Sequence, residues 1–302
     1  MQVLCSLMVC ELKMSADQSL LLPVVVIPIY KHHLNDYEWI SLKSIVTKLI
    51  AHQVCILTTV SILKDVRRVL QFRLGAIAQA FIFHIVDDCW LASVGSYNHL
   101  MLSPFFYDFY QHFSHILLVQ LDAYVFRDEL LYWCSQPWDY IGAPIYLEGA
   151  PYGVDFCQCI GAGGFSLRRI DGFRSAFASN PVVYRWHHLK DRWKNFNARG
   201  KAFLLYRYLQ LLVFAESHLL QESNGLFNLV GVNEDVVFGK YLPGEVSAFQ
   251  VPSALIANAF AIDRFVSESL SSLGHLPFGT HAWWTNPANL KAWQAYIPEL
   301  DS

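Results

Sequence analysis

Charge of one sign is what this chain of 302 residues most conspicuously lacks. Lys+Arg number 22 against 25 for Asp+Glu, a net of −3, and only 16% of residues are charged. That leaves no electrostatic case for nucleic acid as a partner. Long apolar runs are missing too: no stretch reaches the roughly 18–20 uninterrupted apolar residues of a membrane span. The longest candidate, Ala202 to Ala215, is cut by Arg207 and Gln210. Met1 to Cys10 is apolar but has no positive leading segment, and Glu11 and Lys13 follow closely, so no cleaved signal is expected. The expected location is the cytoplasm. No glycine loop ends in Gly-Lys-Ser/Thr, and no nucleophile elbow or Ser-His-Asp order holds together. Internal repeats and low-complexity tracts are absent. The seven cysteines are odd in number and mostly sit in apolar runs such as Val54-Cys55-Ile56, which reads as buried, reduced thiols. Cys157 and Cys159 have no second pair with zinc spacing.

Apolar side chains are what the chain has in plenty: 54% are hydrophobic, 15% aromatic, and the mean hydropathy is +0.29. A sizeable core follows, and peripheral association with the inner face of a membrane stays open. After an extension over 1–22, the chain alternates strand and helix. Val24–Tyr30 is β-rich after Pro23, and Tyr37–Ala51 has helical spacing. Gln53–Thr58 is a second strand, Ser61–Leu74 a helix capped by Ser61, and Ala80–Val86 a third strand. Ser96–His112 is helical with a new turn at Pro104, and His115–Leu121 is the fourth strand. This pattern predicts an α/β fold with a mostly parallel sheet covered on both faces. Asp128–Cys134 reads as a short helix, Tyr146–Gln158 as a loop, and Gly161–Arg168 as a glycine turn entering a strand. A helical insertion spans about 171–221, and Phe249–Ala261 is strand-like. Residues 23–302 read as one domain.

Three motifs carry chemistry. Leu117-Leu118-Val119-Gln120-Leu121-Asp122 is an apolar run ending on a lone acid. In open α/β sheets, ligands bind at the carboxyl ends of strands. A carboxylate there can hold a hard divalent cation on a diphosphate, although an Asp at a strand end also fits a turn cap. Asn233-Glu234-Asp235 can supply a base to an acceptor hydroxyl. Acids at a helix start are also favoured simply by the helix dipole. Adjacent residues point in different directions, so one carboxylate is expected to face the cleft. In Gly161-Ala162-Gly163-Gly164, backbone can approach a ligand closely. The order of strand-borne Asp, glycine turn and Asn-Glu-Asp suits a nucleotide-sugar transferase. Trp138-Asp139-Tyr140 offers aromatic faces for a sugar, and His281 is a candidate ligand. His32-His33 and His187-His188 read as surface pairs.

Taken in order, Val24–Lys31, Tyr97–Ser103, Gln120–Asp122, Trp138–Pro144, Gly163–Arg168, Asn233–Val236 and Pro277–Trp283 resemble a glycosyltransferase-like domain family of unknown function from surface-glycan gene clusters. The likeness runs from about residue 24 to 284. It implies a GT-A-like αβα sandwich, with a nucleotide-binding half over 23–126 and an acceptor half over 127–302. It implies a nucleotide-sugar donor, a glycan or lipid-linked glycan acceptor, and Mn²⁺ or Mg²⁺. Pro28, Tyr30, Lys31, Tyr97, Asn98, Gln120, Asp122, Gly163 and Gly164 would bind the donor. Trp138, Asp139 and Asn233 would bind the acceptor. Asp122 and His281 would hold the metal, and Asp235, with Glu234, would be catalytic. Where such enzymes carry a second Asp after the first, this chain has Tyr124. Inverting transfer, retaining transfer, and a catalytically inactive glycan-binding module remain the three readings.

Overall fold

The protein is described from a computed structural model covering residues 22–147, 149–153, 155, 157–179, 193, 197–202, 205–206, 209 and 233–300. The extension before Leu22, His187-His188 and most of the expected insertion lie outside the described residues.

The frame is a six-stranded sheet. Its strands are β1 (Val24–Pro28), β2 (Gln53–Thr59), β3 (Ile82–Val86), β4 (His115–Val119), β6 (Tyr140–Gly142) and β9 (Phe165–Arg169), in the order β3-β2-β1-β4-β9-β6. The first four are mutually parallel, and β9 runs antiparallel to both β4 and β6. β1 is buried at all five positions, as expected of a parallel strand covered on both faces. Its side chains alternate between two cores. Val24 and Val26 pack with Leu100, Phe106, Tyr110 and Phe173, whereas Val25 and Ile27 pack with Leu42, Ile45, Val66 and Phe260. These cores rest on helices α1 (Asp36–Lys48) and α2 (Leu63–Leu74) on one side, and α3 (Val94–Met101), α4 (Pro104–Phe109) and α6 (Ile170–Ala178) on the other.

The strand-helix alternation up to Asp122 is present, with local differences. α2 starts at Leu63 without a side-chain cap, because the Ser61 hydroxyl is engaged by Thr59 at 3.3 Å and its amide by Asp88. β4 stops at Val119, so Asp122 sits in the turn beyond it. The stretch read as a loop carries β7 (Pro144–Tyr146) and β8 (Cys157–Ile160), paired with each other. α5 (Leu130–Cys134) is the short helix expected there. The strand-like Phe249–Ala261 is instead mostly a helix over Ala254–Phe260, started by Ser253 after Pro252. His32 and His33 are exposed, and none of the described cysteines is in a disulfide. Among the described residues, no helix is long and apolar enough to cross a membrane.

A second, three-stranded sheet matters more than its size suggests. It joins β5 (Tyr124–Val125), β10 (Ala261–Ile262) and β11 (Gly279–Thr280), with Ile262 opposite Thr280 and Thr280 opposite Tyr124. A third core, built on Trp283, Trp293 and Ile297, packs behind it.

Candidate active site

Strand direction gathers the functional side chains. β1 and β4 are parallel neighbours, so Pro28–Lys31 and Gln120–Asp122 emerge on the same edge of the sheet. β9 runs the other way and brings the turn before it to that edge, where the Gln120 amide donates to the Gly164 carbonyl at 2.7 Å. The small sheet adds two more ends: Asp263 follows β10 and His281 follows β11.

Two adjoining chambers result. The smaller, about 240 Å³, is lined by Pro28, Tyr30, Lys31, Glu38, Gln120, Asp122 and Trp284. The larger, about 460 Å³, shares Tyr30 and Gln120 and adds Leu91, Val94, Tyr97, Asn98, Gly163, Gly164, Asn233, Glu234, Asp235 and His281. Every residue expected on the donor, metal or catalytic side thus lines one chamber or both. Trp138 and Asp139 line neither. Asp139 is buried, pairs with Arg169 at 3.6 Å and accepts from the Gln250 amide at 2.8 Å, while Trp138 packs against the core. Asp139 thus serves the joint between β9 and the segment after residue 245, and the acceptor role expected of the two residues finds no support in their position.

At the seam between the chambers, Asp122 Oδ1 faces His281 Nε2 at 3.5 Å. The two side chains keep 22% and 18% exposure, yet the two facing atoms are buried and have no hydrogen-bond partner in the protein. The other ring nitrogen of His281 donates to Asp263 Oδ1 at 2.8 Å. A carboxylate behind an imidazole in this way fixes its tautomer and orientation for a ligand on the far side. Burial opposes charge on the His281 ring, but Asp122, Asp263 and Asp235 outweigh it and raise the pKa to about 9. Ala282, next in the chain, has a φ of 52° in the left-handed region. Beyond this turn the Trp283 side chain is buried and its amide donates to the Asp122 carbonyl at 3.1 Å.

Among the described residues, no group of three or more His, Cys, Asp or Glu is arranged to hold an ion. The pair Asp122 and His281 nevertheless fits a hard divalent cation that keeps phosphate and water in its shell. Tyr124 supplies no further ligand: it is buried in β5, and its hydroxyl donates to Glu299 at 3.1 Å.

Glu234 and Asp235 both reach the larger chamber, contrary to the expectation of one. Gly163 explains this. A Cβ at Gly163 would lie 2.6 Å from Glu234 Oε1 and 3.4 Å from Asp235 Cβ, so the two acids straddle a residue with no side chain. Gly164 makes the equivalent room for the His281 ring. The Asp235 carboxylate accepts from the Val236 amide at 2.7 Å and the Gly163 amide at 3.4 Å. Glu234 is buried against Arg168, 3.5 Å away. Arg168 itself is fully buried, donates to Ser166 and Tyr107, and lies near the Tyr140 and Phe238 rings. Burial and the neighbouring Asp235 push the Glu234 pKa up to about 7, against the opposing pull of Arg168. Burial also raises Asp235, while the Gly163 and Val236 amides, His281 and Arg168 work the other way. Asn98 Nδ2 donates to Asn233 Oδ1 at 3.1 Å, tying this turn to α3.

Sequence reading missed two members of the site. Asp263 ends the short apolar run Ala259-Phe260-Ala261-Ile262, the same signal that singled out Asp122. Arg168 lay inside a quoted motif, but nothing in the sequence marks an arginine as buried.

Residues 80–281 match the model of a family described as protein of unknown function, DUF5672. No curated protein matches the chain. Among solved structures, the galactosyltransferase LgtC in complex with donor and acceptor sugar analogues is similar, with a TM-score of 0.52 and 12% identity over 92% of this chain and 94% of that one. An active-site mutant of LgtC matches at 15% identity and TM-score 0.38, over 50% of this chain. The apo form of the glycosyltransferase GlyE from Streptococcus pneumoniae matches at 11% identity and TM-score 0.42, over 90% of this chain. This chain spans 59% of the length of each of the latter two. At such identities the likeness to LgtC speaks for the fold: a GT-A-type α/β architecture with a mainly parallel central sheet.

Proposed function

The chain belongs to the DUF5672 family, and from that premise we propose that it is an inverting, divalent-metal-dependent glycosyltransferase. It moves a sugar from a nucleotide-sugar donor to a hydroxyl of a glycan or lipid-linked glycan in surface-glycan synthesis, at the cytoplasmic side. One observation carries this reading. Two buried, unpartnered ligand atoms, Asp122 Oδ1 and His281 Nε2, meet at the seam between a chamber at the end of β1 and a chamber bearing two carboxylates.

The nucleoside occupies the smaller chamber beside Pro28, Tyr30 and Lys31. Lys31 is steadied by Glu38 at 2.6 Å, and Glu38 also accepts from the Asn35 amide at the start of α1. The diphosphate lies at the seam, against Gln120 and the bare backbone of Gly163-Gly164. Asp122 and His281 would hold a Mn²⁺ or Mg²⁺ ion there, which stabilises negative charge on the departing diphosphate as a Lewis acid. Asp263 keeps the His281 ring aimed at that point. The donor sugar extends into the larger chamber. Asp235 takes the proton of the acceptor hydroxyl. The acceptor oxygen then bonds to the anomeric carbon from the face opposite the leaving oxygen, and the carbon–oxygen bond to the diphosphate breaks. Burial suits Asp235 to this task by favouring proton uptake, and the Val236 and Gly163 amides fix its carboxylate. Glu234, held by Arg168, and Asn233 stand on the acceptor side.

The test is transfer, or donor hydrolysis, by two variants. Asp122→Ala should abolish turnover and its response to Mn²⁺ with little change in melting temperature, because the deleted Oδ1 makes no hydrogen bond in the protein and only a 3.5 Å ion pair with His281. Asp235→Asn should lower turnover about 10²–10⁴-fold while donor binding persists. Full activity in Asp122→Ala, or activity indifferent to EDTA, sinks the metal role. A product of retained anomeric configuration by NMR replaces the base mechanism with retaining transfer.

A further inference from the structure

The larger chamber also constrains the sugar itself. Its wall carries two adjacent carboxylates, Glu234 and Asp235, and Asp122 stands at its mouth, 3.5 Å from His281. Among the described residues, no lysine or arginine lines it. The nearby cations are already engaged. Arg168 lies behind the wall, fully buried against Glu234, Tyr107 and Ser166. Lys31 belongs to the smaller chamber and is tied to Glu38. The His281 ring is bonded through one nitrogen to Asp263, and its other nitrogen faces Asp122 at the position assigned to the metal. The remaining polar wall consists of neutral side chains, Tyr30, Ser93, Tyr97, Asn98, Gln120 and Asn233, which suit sugar hydroxyls. Leu91 and Val94 add an apolar side.

We propose that the donor sugar this chamber accepts is uncharged, a neutral hexose or N-acetylhexosamine, and that uronic, sialic, sulfated and phosphorylated sugars are rejected. The inference rests on the glycosyltransferase reading above. An anionic substituent entering the chamber gives up its water and meets like charge at short range in a poorly screened space. Apart from the Asp122–His281 pair assigned above to the metal, no described cationic side chain lines the chamber to compensate it. Rejection by unpaired charge is a common route to specificity.

The experiment compares matched donors by calorimetry and thermal shift with Mn²⁺ at pH 8, above the raised pKa of Glu234. UDP-glucose is set against UDP-glucuronic acid and GDP-mannose against GDP-mannuronic acid, with UDP and GDP alone as references. The neutral member of the pair sharing the preferred base should bind at least about tenfold more tightly than its uronic partner. Glu234→Gln should narrow or invert that gap, because Arg168 then faces the chamber without its counter-charge. If that variant does not fold, Asp235→Asn, with one charge fewer on the wall, should narrow it. Equal or tighter binding of the uronic donor by the native protein overturns the proposal, and so does a gap unchanged in the folded variants. If UDP and GDP bind but neither neutral sugar gains over its uronic partner, the substrate assignment fails and the transferase reading stands. If no nucleoside diphosphate or nucleotide sugar binds at all, the transferase reading fails and takes this inference with it.

Discussion

Gly164→Ala isolates the geometry of the seam from its chemistry. The backbone at Gly164 is not in the left-handed region, so alanine can adopt it without strain. The obstacle is space. The new Cβ would overlap His281 Nε2 and Cδ2 and lie 2.8 Å from Gln120 Oε1. His281 cannot retreat freely, since its other nitrogen is held by Asp263 at 2.8 Å and its amide donates to the Ile262 carbonyl at 3.0 Å. The ring must therefore rotate away from Asp122 by on the order of 1 Å, a displacement that can cost about 10²-fold in rate. Overpacking should cost about 1–3 kcal/mol of stability, a melting shift of a few degrees that leaves the protein folded at 25 °C. The assay pairs initial transfer rate with Mn²⁺-dependent binding of a nucleoside diphosphate. Gly244→Ala is the control, because a Cβ there meets nothing within 4 Å. A Gly164→Ala protein with native rate and native Mn²⁺ response would refute the claim that His281 must sit where it does.

Asp263→Asn weakens the support behind His281 without touching the cleft-facing atoms, and should lower metal affinity about 10–100-fold, read by Mn²⁺ titration of nucleotide binding. Glu234 predicts a pH effect on stability. Its pKa rises on folding from 4.5 to about 7, so between those values the unfolded chain releases a proton that the native chain keeps. Stability should therefore fall as pH rises from about 5 to 8, by on the order of 3 kcal/mol. Urea unfolding at the two pH values should show a clearly smaller fall in Glu234→Gln than in the native protein, the remainder above pH 6.5 belonging to His281, whose pKa rises on folding from 6.5 to about 9; a slope undiminished in the variant assigns it to another group.

The first four strands and the helices between them were legible because β1, β2 and β4 are buried on both faces and so read as largely apolar runs, and the half-buried β3 is still rich in β-branched and aromatic residues. Ala254–Phe260 was not: a seven-residue apolar stretch suits a buried strand or helix equally, and only Pro252-Ser253 before it marks a helix start. Asp122 stood out as an acid at the end of such a run. Asp263 carries the same signal more faintly, and its role depends on the pairing of Ile262 with Thr280, which no local pattern reveals. Trp138 and Asp139 looked like a sugar platform by residue type, yet Asp139 bonds to Arg169 and Gln250 as a tertiary joint and Trp138 packs against the core. The expectation that only one of Glu234 and Asp235 faces the cleft failed because it considered the helix alone and not the bare Gly163 packed against it.

The small sheet of β5, β10 and β11 has a consequence for when the protein becomes competent. Each of its strands is two residues long, and the segment that follows β11 is tied back by hydrogen bonds that span much of the described chain. The Trp284 indole reaches the Leu121 carbonyl across 163 positions, and Trp283 reaches Ser41 across 242. Such closures pay their loop entropy before any contact repays it, which places them late in folding. The six-stranded frame needs nothing beyond Arg169 to complete its pairing. A chain emerging from the ribosome thus acquires its scaffold while the seam is still open, and the nucleotide binding proposed above would begin only when the segment around His281 docks. On the transferase reading, a fragment ending before Gly279 should be folded over its first half yet bind no nucleoside diphosphate.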